Sequence, residues 1–267
     1  SLSKRYGILD APGERKIHQG IIPRGAGIVL WSGYCLWVLL CVGTIPALKY
    51  SASGATLIFI TGYLDDIAPV NPYIRFSIHI VAALMIALPL RTSPVNSVIL
   101  ILWISGLTSA FNLIDGLNGL CIINFIISAI CATFMGNIEF WIPLLALSLG
   151  LLGWNFPKAR TFLGDGGSTL LGFLLGSHFL FSNYPKLQDL DLVTLCLILL
   201  LWGGIPMIDT CFAILRRIIR KGSPFNADQG HLHHRLLRMG IDPLNVVLIL
   251  GVCHFMVVGA GFIFLHN

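Results

Sequence analysis

Apolar runs long enough to cross a lipid bilayer recur along this chain, and they restrict its fold more than any other feature. Inside hydrocarbon, backbone N–H and C=O groups must be satisfied within the protein, and a helix of about 20 residues does this in one segment. Nine runs read as such helices: 25–48, 53–64, 73–90, 95–114, 118–136, 138–155, 167–182, 191–215 and 243–265. The second is short and ends on Asp65 and Asp66; Gly136 and Asn137 alone separate the fifth from the sixth. Charged residues make up 11% of the chain, against about 25% in an ordinary globular protein. So few charges do not cover a water-facing surface. The expected fold is an all-α, polytopic transmembrane bundle, with residues 1–267 forming one integral membrane domain.

Nine spans place the polar loops alternately on two sides, and the charges test that count. Of the 17 Lys and Arg residues, all but Lys49, Arg91 and Lys186 fall on one side. That side is the cytoplasmic one by the positive-inside rule. Of the 12 acids, all but Glu139, Asp189 and Asp191 fall on the same side. The polar chemistry therefore faces one compartment, which suits a cytosolic substrate meeting a membrane-bound one. A transporter needs a site near the midplane that opens to both sides. The formal net charge of +5 follows from these loops, and no motif for nucleic-acid binding accompanies it. The seven cysteines lie in apolar runs without a CxxC pair, as small buried side chains do. The chain opens on Ser1 and a polar stretch, which reads as the interior of a longer protein.

Four polar segments carry candidate chemistry. GYLDD at 62–66 ends a helix on adjacent carboxylates, which point roughly 100° apart and therefore take different partners. NLIDGLNGL at 112–120 sets Asn112, Asp115 and Asn118 three residues apart, with Gly116 and Gly119 permitting a tight bend. It also reads as an ordinary helix–helix turn. FLGDGGS at 162–168 is glycine-rich ahead of a helix, so its backbone N–H groups near Gly166 and Gly167 are expected to hold phosphate, while Asp165 suits a divalent cation. DQGHLHHR at 228–235 groups His231, His233, His234 and Arg235. Anion binding fits better than zinc, because no cysteine or HExxH motif lies nearby. Its flank, Arg216, Arg217, Arg220 and Lys221, reads either as part of that anion site or as an anchor near lipid headgroups. Asp209 is a further acid inside an apolar run, and it demands a partner.

In this order and spacing the four segments resemble the polyprenyl-phosphate N-acetylhexosamine-1-phosphate transferases. The resemblance runs from DAPGERKIH at 10–18 to His234, and PRGAG at 23–27 looks like the O-antigen-initiating members. It implies a helical bundle of about ten or eleven spans, so the first family helix would be missing here. It implies transfer of a sugar-1-phosphate from a UDP-sugar such as UDP-GlcNAc to undecaprenyl phosphate, releasing UMP. Magnesium is the implied cofactor, with manganese an alternative. The implied setting is the inner membrane, with the active site on the cytoplasmic face and homodimerisation a further implication. Carried over by motif, Asp165 corresponds to the metal ligand, and Asp65 and Asp66 to the pair that handles the prenyl phosphate. Asn112 and Asp115 correspond to the nucleotide–metal site, and Phe162 to the aromatic that stacks on uracil. Lys16, His18, Asn155 and Gly164 fall beside the nucleotide. His231, His233, His234 and Arg235 fall at the phosphates or sugar. Asn118 departs from the family, which usually carries an acid there. The second reading is a transporter of a nucleotide-sugar or an ion, favoured by Asp209 alone.

Overall fold

The computed structural model describes residues 9–10, 22–41, 43, 45, 47–136, 138–225, 228 and 230–266. Lys16 and His18 lie outside the described residues. Ten helices account for most of the rest: α1 Ala26–Cys41, α2 Leu48–Ile67, α3 Pro72–Ala87, α4 Pro94–Ile114, α5 Leu120–Thr133, α6 Ile138–Asn155, α7 Gly164–Leu187, α8 Leu192–Ile219, α9 Leu232–Arg238 and α10 Pro243–His266. A two-residue ribbon is the exception among the described residues: β1 Leu9–Asp10 pairs antiparallel with β2 Ile22–Pro23.

All nine expected runs are helical over most of their length, and α9 is an extra helix of about two turns within the last polar loop. Five of the long helices have the length and hydropathy to cross a membrane: α3 with its 3-10 extension to Leu90, α4, α6, α8 and α10. α1 and α5 are apolar but shorter, at 16 and 14 residues. Several boundaries differ from expectation. α1 stops at Cys41 rather than 48, ahead of Gly43 and Pro46. α2 runs on to Ile67, so Asp65 and Asp66 lie within its last turn. α7 begins at Gly164, so the GDGG segment is itself helical.

Local signals set several helix starts. Asn71 accepts from the Tyr73 N–H at 2.9 Å with Pro72 in the first turn, and Ser93 accepts from the Asn96 N–H at 3.2 Å ahead of Pro94. Both combine a side-chain cap with a residue that lacks the orphan donor. The outer faces stay apolar. On α10, Leu244, Leu248, Val252, Phe255 and Ile263 are exposed along one stripe, as expected of a surface against lipid.

α7 is the axis of the bundle. It is buried without interruption from Gly166 to Leu180 and packs against α1, α2, α4 and α5. Glycines let these helices meet backbone to backbone. A Cβ on Gly172 would lie 2.6 Å from the Leu107 carbonyl of α4, and one on Gly27 of α1 would lie 2.6 Å from the Gly167 nitrogen. α8 bends at Gly204 (φ 61°, ψ −154°), just before Pro206. Side chains from other helices satisfy the backbone there. The Ile205 N–H donates to His254 Nδ1 at 3.2 Å, the other imidazole nitrogen lies 2.8 Å from Ser128 Oγ, and the Leu199 carbonyl accepts from Trp103 Nε1 at 2.7 Å.

The Gly172 contact can be tested against Gly150, which is exposed on α6 with open space around it. In detergent, Gly172→Ala is expected to lower the thermal midpoint, because overpacking costs about 1–3 kcal/mol. Gly150→Ala is expected to leave it unchanged or raise it, because Ala favours a helix over Gly by roughly 0.5–1 kcal/mol.

Candidate active site

Where α2 ends against the start of α7, Asp66 is the fastening. Its Oδ1 accepts from the Asp165 N–H at 2.9 Å and its Oδ2 from the Gly166 N–H at 3.1 Å. A helix N-terminus leaves such donors without intrahelical partners, and a carboxylate there also complements the helix dipole. Arg24 Nη1 adds a cation 3.5 Å from Oδ1. Glycine permits the approach twice. Gly164 has φ 74° and its Cβ would lie 2.5 Å from Asp66 Oδ2; a Cβ on Gly62 would lie 2.6 Å from the Asp165 carbonyl. Two expectations are corrected here. Gly166 has no free N–H for phosphate, since Asp66 takes it. Asp66, with a side chain 4% exposed and both oxygens engaged, is a positioning residue rather than an accessible base.

Asp65 faces elsewhere, as the 100° offset between neighbours requires. Its Oδ1 accepts from the Val70 N–H at 2.6 Å, and its Oδ2 pairs with Arg75 in the first turn of α3. The same guanidinium nitrogen lies 2.9 Å from Asp165 Oδ2. Asn112 at the end of α4 donates to that oxygen at 3.1 Å and accepts from Ser168 Oγ at 2.8 Å, so its amide is held from both ends. One carboxylate from α2 and one from α7 thus converge on a single cation. Asp165, at 31% side-chain exposure, is more open than Asp65 at 11%.

The turn after α4 brings Asp115 to the same region. Asp115 retains some solvent-exposed surface, but the protein around its carboxyl raises its pKa well above the carboxylate range. The neighbouring carboxylates of Asp165 and Asp66 push in the same direction. His233 lies against this turn: a Cβ on Gly116 would sit 2.3 Å from its Nε2. Burial, reinforced by His234 and His231, pulls the His233 imidazole down to about 3, so it is neutral near pH 7. His234 is lowered too, by burial first and then by His231 and Arg238. Both rings are therefore disposed to be neutral hydrogen-bonding groups rather than cations.

Other expected residues are braces. Asn155 accepts from the Gly119 N–H at 2.6 Å and donates to the Thr161 carbonyl at 2.9 Å. Both ends of its amide hold backbone, so it braces the two loops beside the site. Asn118 donates to the Pro157 carbonyl at 3.2 Å, tying the same two loops. Phe162 lies alongside Arg24 in a parallel bridge, its carbonyl accepting from the N–H groups of Gly25 and Ala26 at 3.3 and 3.2 Å. His231 places Nδ1 2.9 Å from Asp209 Oδ2, while Asp209 Oδ1 accepts from the Leu232 N–H at 3.1 Å. This buried pair anchors the start of α9 through His231 Nδ1. Arg235 lies roughly 200° round α9 from His233, so it faces away from the Asp115 turn. In the sequence Arg75 stands out only as a charge and Arg24 only as part of the PRGAG segment. The signal for Arg75 was a lone cation at the mouth of the next helix, ten positions beyond Asp65. Phe225, near the end of the loop from α8, reaches the same helix mouth, with ring centroids 4.7 Å from Tyr73 and 5.6 Å from Phe76.

Comparison with known proteins identifies the family. Residues 49–183 match the model of glycosyl transferase family 4, a segment that holds Asp65, Asp66, Asn112, Asp115 and Asp165. A probable undecaprenyl-phosphate N-acetylglucosaminyl 1-phosphate transferase of Bacillus subtilis is 31% identical over 274 residues, covering 94% of this chain and 75% of that protein. The chain belongs to glycosyl transferase family 4. Undecaprenyl-phosphate alpha-N-acetylglucosaminyl 1-phosphate transferases of Yersinia pestis and Escherichia coli K12 are 32% and 28% identical, covering 88% and 97% of this chain and 71% and 77% of those proteins. As in the sequence pattern, this family 4 chain is an integral membrane protein with its acidic motifs gathered at one end of the bundle.

Asp66→Ala is expected to lower the thermal midpoint by several degrees, since each buried N–H left unpaired costs about 1–3 kcal/mol. Asp165→Asn is expected to lower it less, because Asp165 is the more open residue and caps no helix. The reverse order in a thermal-shift measurement would remove the fastening role from Asp66.

Proposed function

We propose that this chain transfers a sugar-1-phosphate from a UDP-N-acetylhexosamine to undecaprenyl phosphate, giving the polyprenyl-diphosphate-sugar and UMP. The convergence of Asp65 and Asp165 on one cation, beside Asp115 and the neutral His233, carries this reading. The relatives' names support it: they describe transfer of N-acetylglucosaminyl 1-phosphate to undecaprenyl phosphate. The site-bearing end is the one rich in Lys and Arg, which supports a cytoplasmic orientation in a bacterial inner membrane.

Magnesium fits the donor set. Among the described residues no group of three or more His, Cys, Asp or Glu forms a complete metal cage. Magnesium usually takes one or two carboxylates and fills its shell with water and substrate phosphates. Asp165 and Asp65, which already share the charge of Arg75, would hold it; manganese has similar oxygen preferences. Bound there, the ion would offset the negative charge of the diphosphate.

The reaction displaces UMP from the β-phosphorus. An oxygen of the acceptor phosphate forms the new P–O bond, and the bond to the UMP oxygen breaks with its electron pair leaving on UMP. A phosphate monoester has its second pKa at about 6 and is largely dianionic near pH 7, so it attacks without a strong base. That agrees with the engaged state of Asp66. Arg75 supplies positive charge where two anions meet, Asn112 fixes the rotamer of Asp165, and His233 offers a hydrogen bond without adding charge. Transport loses its supporting feature, because Asp209 is paired with His231 and the α9 N-terminus.

With UDP-GlcNAc, undecaprenyl phosphate and magnesium in detergent, UMP release is expected to require both substrates and to stop on chelation. Asp165→Asn is expected to reduce it by about 10²-fold or more, the scale of losing one electrostatic group of an active site. UMP released as a burst without the acceptor would replace direct attack by an enzyme-bound intermediate. No release with any UDP-hexosamine would leave family membership standing and remove the reaction.

A further inference from the structure

A second charged concavity lies at the same end of the bundle, outside the aspartate cluster. Arg216 and Arg220, one turn apart at the end of α8, and Arg235 and Arg238, one turn apart on α9, line a cavity of about 450 Å³ together with Asp228 and Gly230. Residues three and four apart share a helix face, so each helix contributes a pair. Asp228 is the one carboxylate in this lining. It is engaged by Arg216, which reaches Oδ2 from Nε at 3.1 Å and from Nη2 at 2.5 Å. The backbone at Gly230 lies flat on that guanidinium, since a Cβ there would come within 2.6 Å of it. Four guanidinium groups around one carboxylate leave an excess of positive charge in an open concavity, an arrangement suited to a phosphate held by paired N–H donors.

Two features separate this cavity from the reaction site. His233 faces Gly116 and the carboxylates, whereas Arg235 lies roughly 200° round α9 from it and Arg238 roughly 140°. The helix that carries Arg216 and the helix that follows α9 also expose apolar side chains at these ends. Phe212, Leu215, Ile218 and Ile219 are exposed on α8 up to the residue before Arg220, and Leu244 and Leu248 are exposed at the start of α10. A ligand with a phosphate in the cavity and acyl chains on these side chains would match both surfaces.

We infer that the cavity formed by Arg216, Arg220, Arg235 and Arg238 binds the phosphate headgroup of an anionic phospholipid, apart from both reaction substrates. The test uses the full chain in nanodiscs of mixed phosphatidylcholine and phosphatidylglycerol, followed by native mass spectrometry of the lipid it retains. The wild type is expected to retain phosphatidylglycerol preferentially. Arg220→Gln with Arg238→Gln is expected to cut that preference roughly tenfold, since two basic groups at an anionic surface are lost. Lys158→Gln with Arg160→Gln removes the same charge from the loop before α7 and is expected to preserve the preference. Equal loss in both double variants would reduce the effect to bulk charge and overturn the proposal. So would unchanged lipid retention in Arg220→Gln with Arg238→Gln accompanied by weaker binding of UDP by calorimetry, which would assign the cavity to the nucleotide donor. Neither readout requires turnover, so each stands apart from the assigned reaction.

Discussion

A helix that begins inside a bundle of apolar helices has unpaired N–H groups where little water can reach them. α7 begins in this way, and the Asp66 carboxylate satisfies two of its donors. The rest of the site inherits its position from that contact. Asp165 is the residue whose N–H is held, so its side chain projects from a fixed point toward Arg75 and Asn112. Gly62 and Gly164 keep α2 and α7 close enough for the carboxylate to reach. The adjacent acids thus divide the work: one fastens two helices, and the other shares a cation with Asp165.

The helical runs were legible because lipid imposes them. A backbone that must satisfy itself over about 20 residues writes its own length into the sequence, and the one-sided charges fixed which ends belong together. The divergent partners of Asp65 and Asp66 were also legible, since helical geometry alone separates neighbouring side chains. The boundary at Gly164 was not. Four residues of GDGG read as a loop by propensity, and only a carboxylate 99 positions away makes them a helical turn. Arg75 and Arg24 escaped for the same reason, since pairing across tens of residues leaves no local periodicity. The bracing roles of Asn155 and His231 left no local signal, because Gly119 and Asp209 lie 36 and 22 positions away.

Two buried polar groups elsewhere are matched across helices. Asp209 is matched by an imidazole and a backbone N–H, and His254 is matched by a backbone N–H on one ring nitrogen and a hydroxyl on the other. Each joins segments distant in sequence, so these two residues act as registration points between helices that apolar packing alone would let slide. Asp65, Asp165 and Arg75 lie at an end of the bundle where such pairs are left partly open to solvent.

The bend at Gly204 gives α8 a further property. From Ile205 to Arg216 the helix runs about 16 Å at 1.5 Å per residue, an arm that starts where His254 Nδ1 accepts from the Ile205 N–H. A change of about 10° at that bend would carry the arginine end through roughly 3 Å by the same geometry. Contacts made by Ser128, Trp103 and His254 therefore set, by leverage, the spacing between the last polar loop and the aspartates. Residues deep in the bundle thereby calibrate an aperture they never touch.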